Sequence, residues 1–595
     1  MQDRVAFYNK RIDSKKLEIE KLNRNYNSIS LLRILTVISA IFFEVFCYTR
    51  RDLFFGIVLF VLHIILFLFL VKIHEKIYIN KERVKGFIEL NKKEIERING
   101  KWKSFDDKGE EYLDLKHPFI NDLDIFGKNS LFQWVNNTKT TYGRESLKNL
   151  MMFNNLPRRE EILERQSSLK ELADKIDFRQ ELTSTLKSDK NKNDETFIGD
   201  WVKENDKKHI KFFDLIRIGM PIINVLVIIL IIFGIGEWID ILVTLGISYY
   251  LLKFIDSDVK KGLIIFEDLK YKIKTYVKAI KIIENEEFKS SELNKLKSIF
   301  KDSNSLASED LLELEKITSW LYDRHNAFYI ILNCLFLWDY QMIKKLEKWK
   351  YKNKDKFNAY MECLGQFEAM SSLSTLVFNN PLWEVPNITD SVLSGKDLTH
   401  PLLGDEAVGN DFYMDKNTRV LLITGSNMSG KSTFLRTVGF NMILSYLGLN
   451  VPAKEFNVPI FNIYTCMRTG DDLENNISSF YSEILRVKGI VDGTKRNERI
   501  FFLLDEIFKG TNSIDRHEGA VVLINQLLKG DTLGLVSTHD LELCDMEKNN
   551  DFVSNYYFKE YYKSNKIMFD YKIRQGVSKT RNAKYLMKMA GIDIE

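Results

Sequence analysis

Arg419-Val420-Leu421-Leu422-Ile423-Thr424-Gly425-Ser426-Asn427-Met428-Ser429-Gly430-Lys431-Ser432-Thr433 is the stretch on which the fold turns. Its first six residues form a short apolar run that reads as a buried strand. Phe434, Leu435, Val438, Ile443 and Leu444 then carry the spacing of a helix face. Between them stands G-x-x-x-x-G-K-[ST], a phosphate loop in the strand-loop-helix setting the motif requires. Its glycines let the backbone close around phosphate oxygens, and the N–H groups at the helix start point toward them. Gly425 through Thr433 are therefore the candidate nucleotide-binding residues. Lys431 is expected to reach the β/γ oxygens and Ser432 to ligate the metal, which implies ATP and Mg2+ as ligands.

Two further strands complete the pattern. Ile500-Phe501-Phe502-Leu503-Leu504 ends in Asp505-Glu506, some 70 residues after the loop. An apolar strand that delivers a carboxylate beside a phosphate loop supplies a metal partner, here Asp505, and the next acid, Glu506, is placed to activate water as general base. Thr532-Leu533-Gly534-Leu535-Val536-Ser537 leads into Thr538-His539-Asp540, which puts His539 at the same carboxyl edge as a candidate γ-phosphate contact.

The chain of 595 residues has room for about four domains. With 45% hydrophobic and 28% charged residues it is neither disordered nor collagen-like. Its net charge of +4 decides nothing about nucleic acid, because a basic groove can hide in a balanced total. The five scattered cysteines favour a reducing compartment.

The apolar residues concentrate in two blocks, Leu31 to Tyr48 with Leu53 to Val71, and Ile218 to Gly236 with Trp238 to Phe254. Each run is about the length a helix needs to cross ~30 Å of hydrocarbon, so two transmembrane hairpins are expected, with a pair of buried soluble helices as the alternative. Arg33, Glu44, His63, Asn224 and Asp240 interrupt the runs, and Glu44 and Asn224 call for a partner helix. Basic residues before the first hairpin (Lys10, Arg11, Lys15, Lys16, Lys21, Arg24) and after it (Lys72, Lys76, Lys81, Arg83, Lys85) place the termini in the cytoplasm, against Arg50 and Arg51 in the turn. The expected location is a multi-pass membrane protein with its nucleotide site cytoplasmic and the lipid bilayer as a partner.

Taken together, these motifs resemble the MutS family of DNA mismatch-repair ATPases, relatives of the ABC ATPases. The likeness rests on Thr424 to Thr433 with its asparagine-methionine pair, on Val451-Pro452-Ala453, Asp471-Asp472-Leu473 and Ile477-Ser478-Ser479-Phe480 with Glu483, and on Leu504 to Asp515. His400-Pro401-Leu402 and Gly409-Asn410-Asp411-Phe412 look like the family's approach to the loop, and Gly576-Val577-Ser578 and Ala590-Gly591-Ile592 like its closing segment. Trp134 to Leu150 and Leu364 to Met370 are similar to its helical core, with generic amphipathic helices as the alternative.

The resemblance implies a P-loop, ABC-like α/β ATPase domain plus an all-α core and lever that here carries the two transmembrane hairpins. It implies adenine stacking on Phe412, Ser478 and Ser479 facing a partner's γ-phosphate, Asn512 and Asp515 between two sites, and a homodimer through the ATPase domains whose nucleotide state moves lever arms. The expected divisions are 1–30, an N-terminal cytoplasmic helix; 31–72, hairpin 1; 73–117, a helical connector; 118–215, the first part of the core and lever; 216–256, hairpin 2; 257–395, the returning lever helices; and 396–595, the ATPase domain.

Departures bear on the target. Mismatch-reading members begin with a Phe-x-Glu wedge domain, for which no room is expected before the core, and Phe42-Phe43-Glu44 and Phe87-Ile88-Glu89 read as chance. Hairpin 2 falls where the lever and DNA clamp would be inserted, and Lys579 to Lys584 lacks the usual glycine-containing ending. Two targets therefore stand open: DNA, contacted by a basic-aromatic run such as Lys344 to Lys352, or membrane and protein partners without DNA.

Overall fold

The computed structural model describes the chain except for residues 1, 115, 187–192, 204–210, 254–261, 267–268, 303–304, 322–326, 469–478, 564–565 and 579–595. It opens with a helical hairpin, α1 (Gln2–Arg50) and α2 (Leu53–Ile98). Asp52 closes the corner by accepting from Phe55 N at 3.3 Å, and Gly56 lets the helices approach at Cys47, where an added Cβ would lie 3.3 Å from the Cys47 Cβ.

The expected boundaries near residues 30 and 72 are not breaks. No proline or paired glycine interrupts either helix, so the apolar and polar halves are continuous. The polar halves pair through Ile12, Val84 and Ile88 into a stalk. That stalk docks on the helical core. Tyr8 donates to Asn379 Oδ1 at 2.8 Å, Arg11 to Gln180 at 3.0 Å, and Arg97 to the Trp134 carbonyl at 2.6 Å.

The core is built on α3 (Thr141–Met152), α4 (Arg159–Asp174) and α5 (Ile176–Thr185), with α6 (Lys211–Ile232), α7 (Trp238–Leu252), α8 (Lys270–Asn285), α9 (Ala307–Leu321), α10 (Ala327–Phe336), α11 (Trp338–Asn353) and α12 (Phe357–Asn379) following in chain order. The two helical stretches singled out in the sequence meet here. Gly365 abuts the Tyr142 backbone and Gly143 abuts Glu368, too close in each case for a side chain. Glu368 accepts from Lys139 N at 2.7 Å and from the Thr140 hydroxyl.

α1, α2 and α6 are long and apolar enough to cross a membrane, and α7 is a shorter apolar helix whose expected end at Phe254 lies outside the described residues. Their apolar side chains are exposed, from Leu31 to Phe69 and from Leu215 to Tyr250. The sequence reading passed over α10, whose Ile330 and Ile331 are also exposed. Asn224 on α6 is fully buried and donates to the Leu335 carbonyl at 2.8 Å and the Cys334 carbonyl at 3.2 Å, the end carbonyls of α10 that lack helical partners. Its partner element is therefore α10, with Ser248 of α7 at 3.2 Å.

The Lys344 to Lys352 run is split: Leu346, Trp349 and Lys350 are buried, while Lys345, Lys348, Tyr351 and Lys352 are exposed. Lys344 reaches Asp214 at 3.4 Å, Lys352 pairs with Asp310 at 2.8 Å, Lys345 lies over the Trp320 ring, Lys350 is buried near Trp201, and the buried Trp349 donates to the Asp310 carbonyl.

The C-terminal part is α/β. A mixed sheet in the order β1-β5-β2-β3 comprises β1 (Asn387–Thr389), β2 (Leu393–Leu398), β3 (Asn410–Met414) and β5 (Glu455–Pro459). The main sheet, β10-β9-β4-β8-β7-β6, comprises β4 (Val420–Thr424), β6 (Asn462–Cys466), β7 (Ile500–Asp505), β8 (Thr532–Thr538), β9 (Val553–Lys563) and β10 (Lys566–Gln575), parallel except for β10. Period-2 alternation splits its strands. Leu421, Ile423, Phe501 and Leu503 join one core with the helical region, while Val420, Leu422, Phe502 and Leu504 face a second core. Helices α13 (Lys431–Tyr446), α14 (Ser479–Lys495) and α15 (Ser513–Leu527) flank the sheet.

Candidate nucleotide site

β4 delivers the chain into a loop that only small residues can make. Gly425 has φ 151° and an added Cβ would lie 2.8 Å from Ser429 Oγ, while Gly430 has φ 109°. α13 starts at Lys431, so its first N–H groups open into the loop. Among the described residues the Ser426 and Ser429 hydroxyls are buried without a hydrogen-bond partner. A helix start whose first N–H groups open into the loop, beside two orphaned hydroxyls, fits a phosphate chain. Lys431 is buried. Its Nζ donates to the Gly425 and Ser426 carbonyls at 2.8 and 3.1 Å and lies 3.7 Å from Glu506 Oε1. Burial lowers its pKa, and the Glu506 and Asp505 charges oppose that shift.

β8 lies between β4 and β7, pairing Thr424 with Thr538 and Asp505 with Ser537, so all three carboxyl ends share one edge. Asp505 accepts from the Ser537 hydroxyl. Glu506 lies 2.8 Å from His539 Nε2 and 3.0 Å from Lys509 Nζ. Hydrogen bonds from His539 and, against desolvation, from Lys509 hold its pKa down at about 2. His539 Nε2 also lies 2.7 Å from Asn427 Oδ1, which ties β8 back to the phosphate loop. The Ser432 hydroxyl and Asp505 carboxylate are hard oxygen donors of the type Mg2+ takes. They are the residues that would hold it.

The family model described as MutS domain V matches residues 421–593. The C-terminal part is therefore similar to the ATPase domain of the MutS family. Over 229 residues the chain is 34% identical to the DNA mismatch repair protein MutS of Thermotoga sp. (strain RQ2), covering 38% of this chain and 29% of that protein. It is 30% identical over 235 residues to the protein of that name from Persephonella marina, covering 38% and 27%. It is 32% identical over 208 residues to MutS protein homolog 4 of Mus musculus, covering 33% and 21%. The chain thus spans less than a third of the length of these relatives.

Within the MutS domain the structure brings Asn427, Lys431, Glu506 and His539 into mutual reach, with Asp505 ending the same strand. Met428 is 86% exposed at the loop tip, with φ 68°. Phe412 is a correction. Alternation along β3 turns Asn410, Phe412 and Met414 inward, so the Phe412 ring is only 5% exposed, edge-on to Phe434 at 5.6 Å and tight against Gly395. It is a core ring, not a stacking platform. Asn512 caps α15 by accepting from Asp515 N at 2.8 Å, and its Nδ2 donates to Asp515 Oδ2 at 2.8 Å, both residues being exposed. Ser479 opens α14, and Ser478 lies outside the described residues.

Sequence reasoning missed Lys509, whose only signal is its place three residues after Glu506. It also missed His517, whose Nδ1 lies 2.6 Å from Asp540 Oδ2 and steadies the loop after His539.

Proposed function

We propose that this chain is a membrane-anchored ATPase of the MutS type that binds and hydrolyses ATP in a homodimer and converts nucleotide state into the position of its helical arms. The observation that carries the reading is the convergence of Lys431, Glu506 and His539 on the phosphate loop, with Asp505 ending the adjacent strand. Lys431 and the loop N–H groups would orient the phosphates, Ser432 and Asp505 would hold Mg2+, and Glu506 would take the proton of the attacking water. Bound Mg2+ supplies neutralising charge at the phosphate oxygens. Dimerisation, with Ser478, Ser479, Asn512 and Asp515 facing the second site, belongs to the same proposal.

The exposed apolar surfaces of α1, α2, α6, α7 and α10 support anchoring in a bilayer, with the ATPase domain in the cytoplasm. The relatives are named for DNA mismatch repair, and DNA is the first target to test. The intramolecular pairing of Lys344 with Asp214 and of Lys352 with Asp310 favours the second reading, in which the switch acts on membrane or protein partners.

The test uses the full chain in lipid nanodiscs. Mg2+-dependent ATP hydrolysis that Lys431→Ala abolishes is expected. Absence of nucleotide binding by the wild-type chain overturns the proposal. Recovery of the chain in the soluble fraction without detergent refutes the anchor, and failure to bind duplex, mismatched and branched DNA at low salt eliminates the DNA target.

A further inference from the structure

The Glu506 elbow is a strained piece of backbone, tied to β8 by Glu506 N donating to the Ser537 carbonyl at 3.0 Å and propped on its other side by α14. Glu506 and Phe508 both sit in the left-handed region, at φ 51° and 62°, where non-glycine residues need outside support. The α14 support comes from one face of the helix. Glu483, buried, accepts from Phe508 N, and Phe480 closes on Gly510, where an added Cβ would lie 2.8 Å from the Phe480 Cβ. One turn further along the same helix, Arg486 donates to Asp122 Oδ2 at 2.8 Å.

Asp122 is not part of residues 421–593. It lies in the segment between the stalk and α3, 343 residues before Thr465. Its fully buried carboxylate also accepts from Thr465 Oγ1 at 2.7 Å, Met467 N at 3.0 Å and Arg468 N at 3.1 Å. The same segment reaches the phosphate-loop helix. Leu123 fills the space over Gly439 of α13, and Asp124 pairs with Arg468 at 2.6 Å and lies 3.7 Å from Arg436 of α13. Residues 118–124 are thus wedged between the helix that opens the phosphate loop and the helix that props the Glu506 elbow.

We propose that Asp122 is a positioning residue for Glu506, acting through Arg486 and Glu483 on α14, so that a segment outside the MutS domain completes its hydrolytic site. The inference rests on Glu506 as the general base. A buried carboxylate that accepts four hydrogen bonds fixes the rotation of α14, and the helix presents Glu483 to Phe508 N. With Asp122 lost, Arg486 has no buried acceptor, α14 is free to turn, and the elbow relaxes from its left-handed conformation.

The experiment uses the full chain with Asp122→Asn, Arg486→Gln and Glu483→Gln. Each is expected to lower kcat about 10- to 100-fold, the cost of displacing a reacting group by about an ångström. KM for ATP should stay within about twofold, and Asp122→Asn combined with Glu483→Gln should be no slower than the slower single variant. Multiplicative losses, or a raised KM at unchanged kcat, overturn the proposal. Hydrogen exchange gives a readout that does not depend on turnover: peptides covering 479–486 and 506–511 should exchange faster in Asp122→Asn, with 431–446 unchanged. Unchanged exchange in 506–511 overturns the proposal, whereas faster exchange together with undiminished hydrolysis by Glu506→Gln leaves the positioning intact and refutes the base assignment. If Asp122→Asn fails to fold, Arg486→Gln carries the same comparison from a partly exposed position.

Discussion

Replacing Glu506 by glutamine separates the two roles proposed for one carboxylate. The carboxamide keeps the shape and removes the charge from a group 2.8 Å from His539, 3.0 Å from Lys509 and 3.7 Å from Lys431. Loss of a general base lowers the chemical step by about 10²- to 10⁴-fold. The second effect has the opposite sign for binding. At 3.7 Å and an effective dielectric of about 20, the gross Coulomb attraction between Lys431 and Glu506 is about 4 kcal/mol, and phosphate has to compete with it. Glu506 is partly exposed, so solvent screening reduces the net effect to about 1 kcal/mol, or about fivefold in Kd. Glu506→Gln should therefore bind ATP about fivefold more tightly while turning it over at least 100-fold more slowly, and Lys431→Ala should bind more weakly. Equilibrium titration with a fluorescent ATP analogue, at low and high salt, and phosphate release under single turnover measure the two quantities. With its carboxyl held at about 2, Glu506 is ionised throughout the neutral range, so any acid limb of kcat/KM near neutrality belongs to another group and persists in the variant. Turnover within about threefold of wild type refutes the base assignment. Weaker ATP binding by the variant refutes the competition between Glu506 and phosphate for Lys431.

Two other predictions concern groups away from the reaction. His400 Nδ1 accepts from Leu402 N at 3.3 Å, and burial, with the nearby Arg436 charge, pushes its pKa down to about 4. The unfolded chain then binds the extra proton between about pH 6.5 and 4, so stability falls as pH drops through that window, and His400→Asn should flatten this part of the melting-temperature profile. Asn224→Ala strips the donor from the Cys334 and Leu335 carbonyls at a cost of about 1–2 kcal/mol. It should also raise the labelling of Cys334 by a small maleimide in nanodiscs, and unchanged labelling would mean that α10 is held by packing alone.

The phosphate loop and the carboxyl edge were legible because the motif fixes both spacing and setting: an apolar strand, a glycine loop and a helical period each announce themselves locally. The placement of Asp505, Glu506 and His539 at one sheet edge was legible for the same reason, each ending or following a strand of the parallel part of the sheet. Phe412 was misjudged because a strand of five residues gives no external reference for which face is inward, and here the pairing of β2 with β3 decides it. α10 escaped notice because a ten-residue apolar helix is too short to stand out, and its place is set by Asn224 from a helix about 110 residues earlier. Asp122 was invisible in Asn121-Asp122-Leu123-Asp124, since an isolated surface-like carboxylate becomes a buried node only through partners supplied by the other half of the chain.

The attachments of the two hairpins give the helical part its mechanical meaning. Hairpin 1 is fastened where α12 ends, through Tyr8 and Asn379, a few residues before the chain enters β1. Hairpin 2 is fastened to the start of α11, where Gln341 donates to the Arg217 carbonyl at 2.9 Å and Tyr340 to the Leu251 carbonyl at 3.2 Å, and α11 runs directly into α12. α12 itself is 23 residues long, about 34 Å, and buried along most of its length. A rod buried on nearly all sides cannot bend to absorb a displacement at one end without opening its packing against α3 and α4, including the Gly365–Tyr142 contact that has no slack. Under the proposed switch, a movement of the nucleotide-binding domain is passed to both hairpins together, and uncoupling hairpin 1 alone requires loosening its attachments at Tyr8, Arg11 and Arg97 at once.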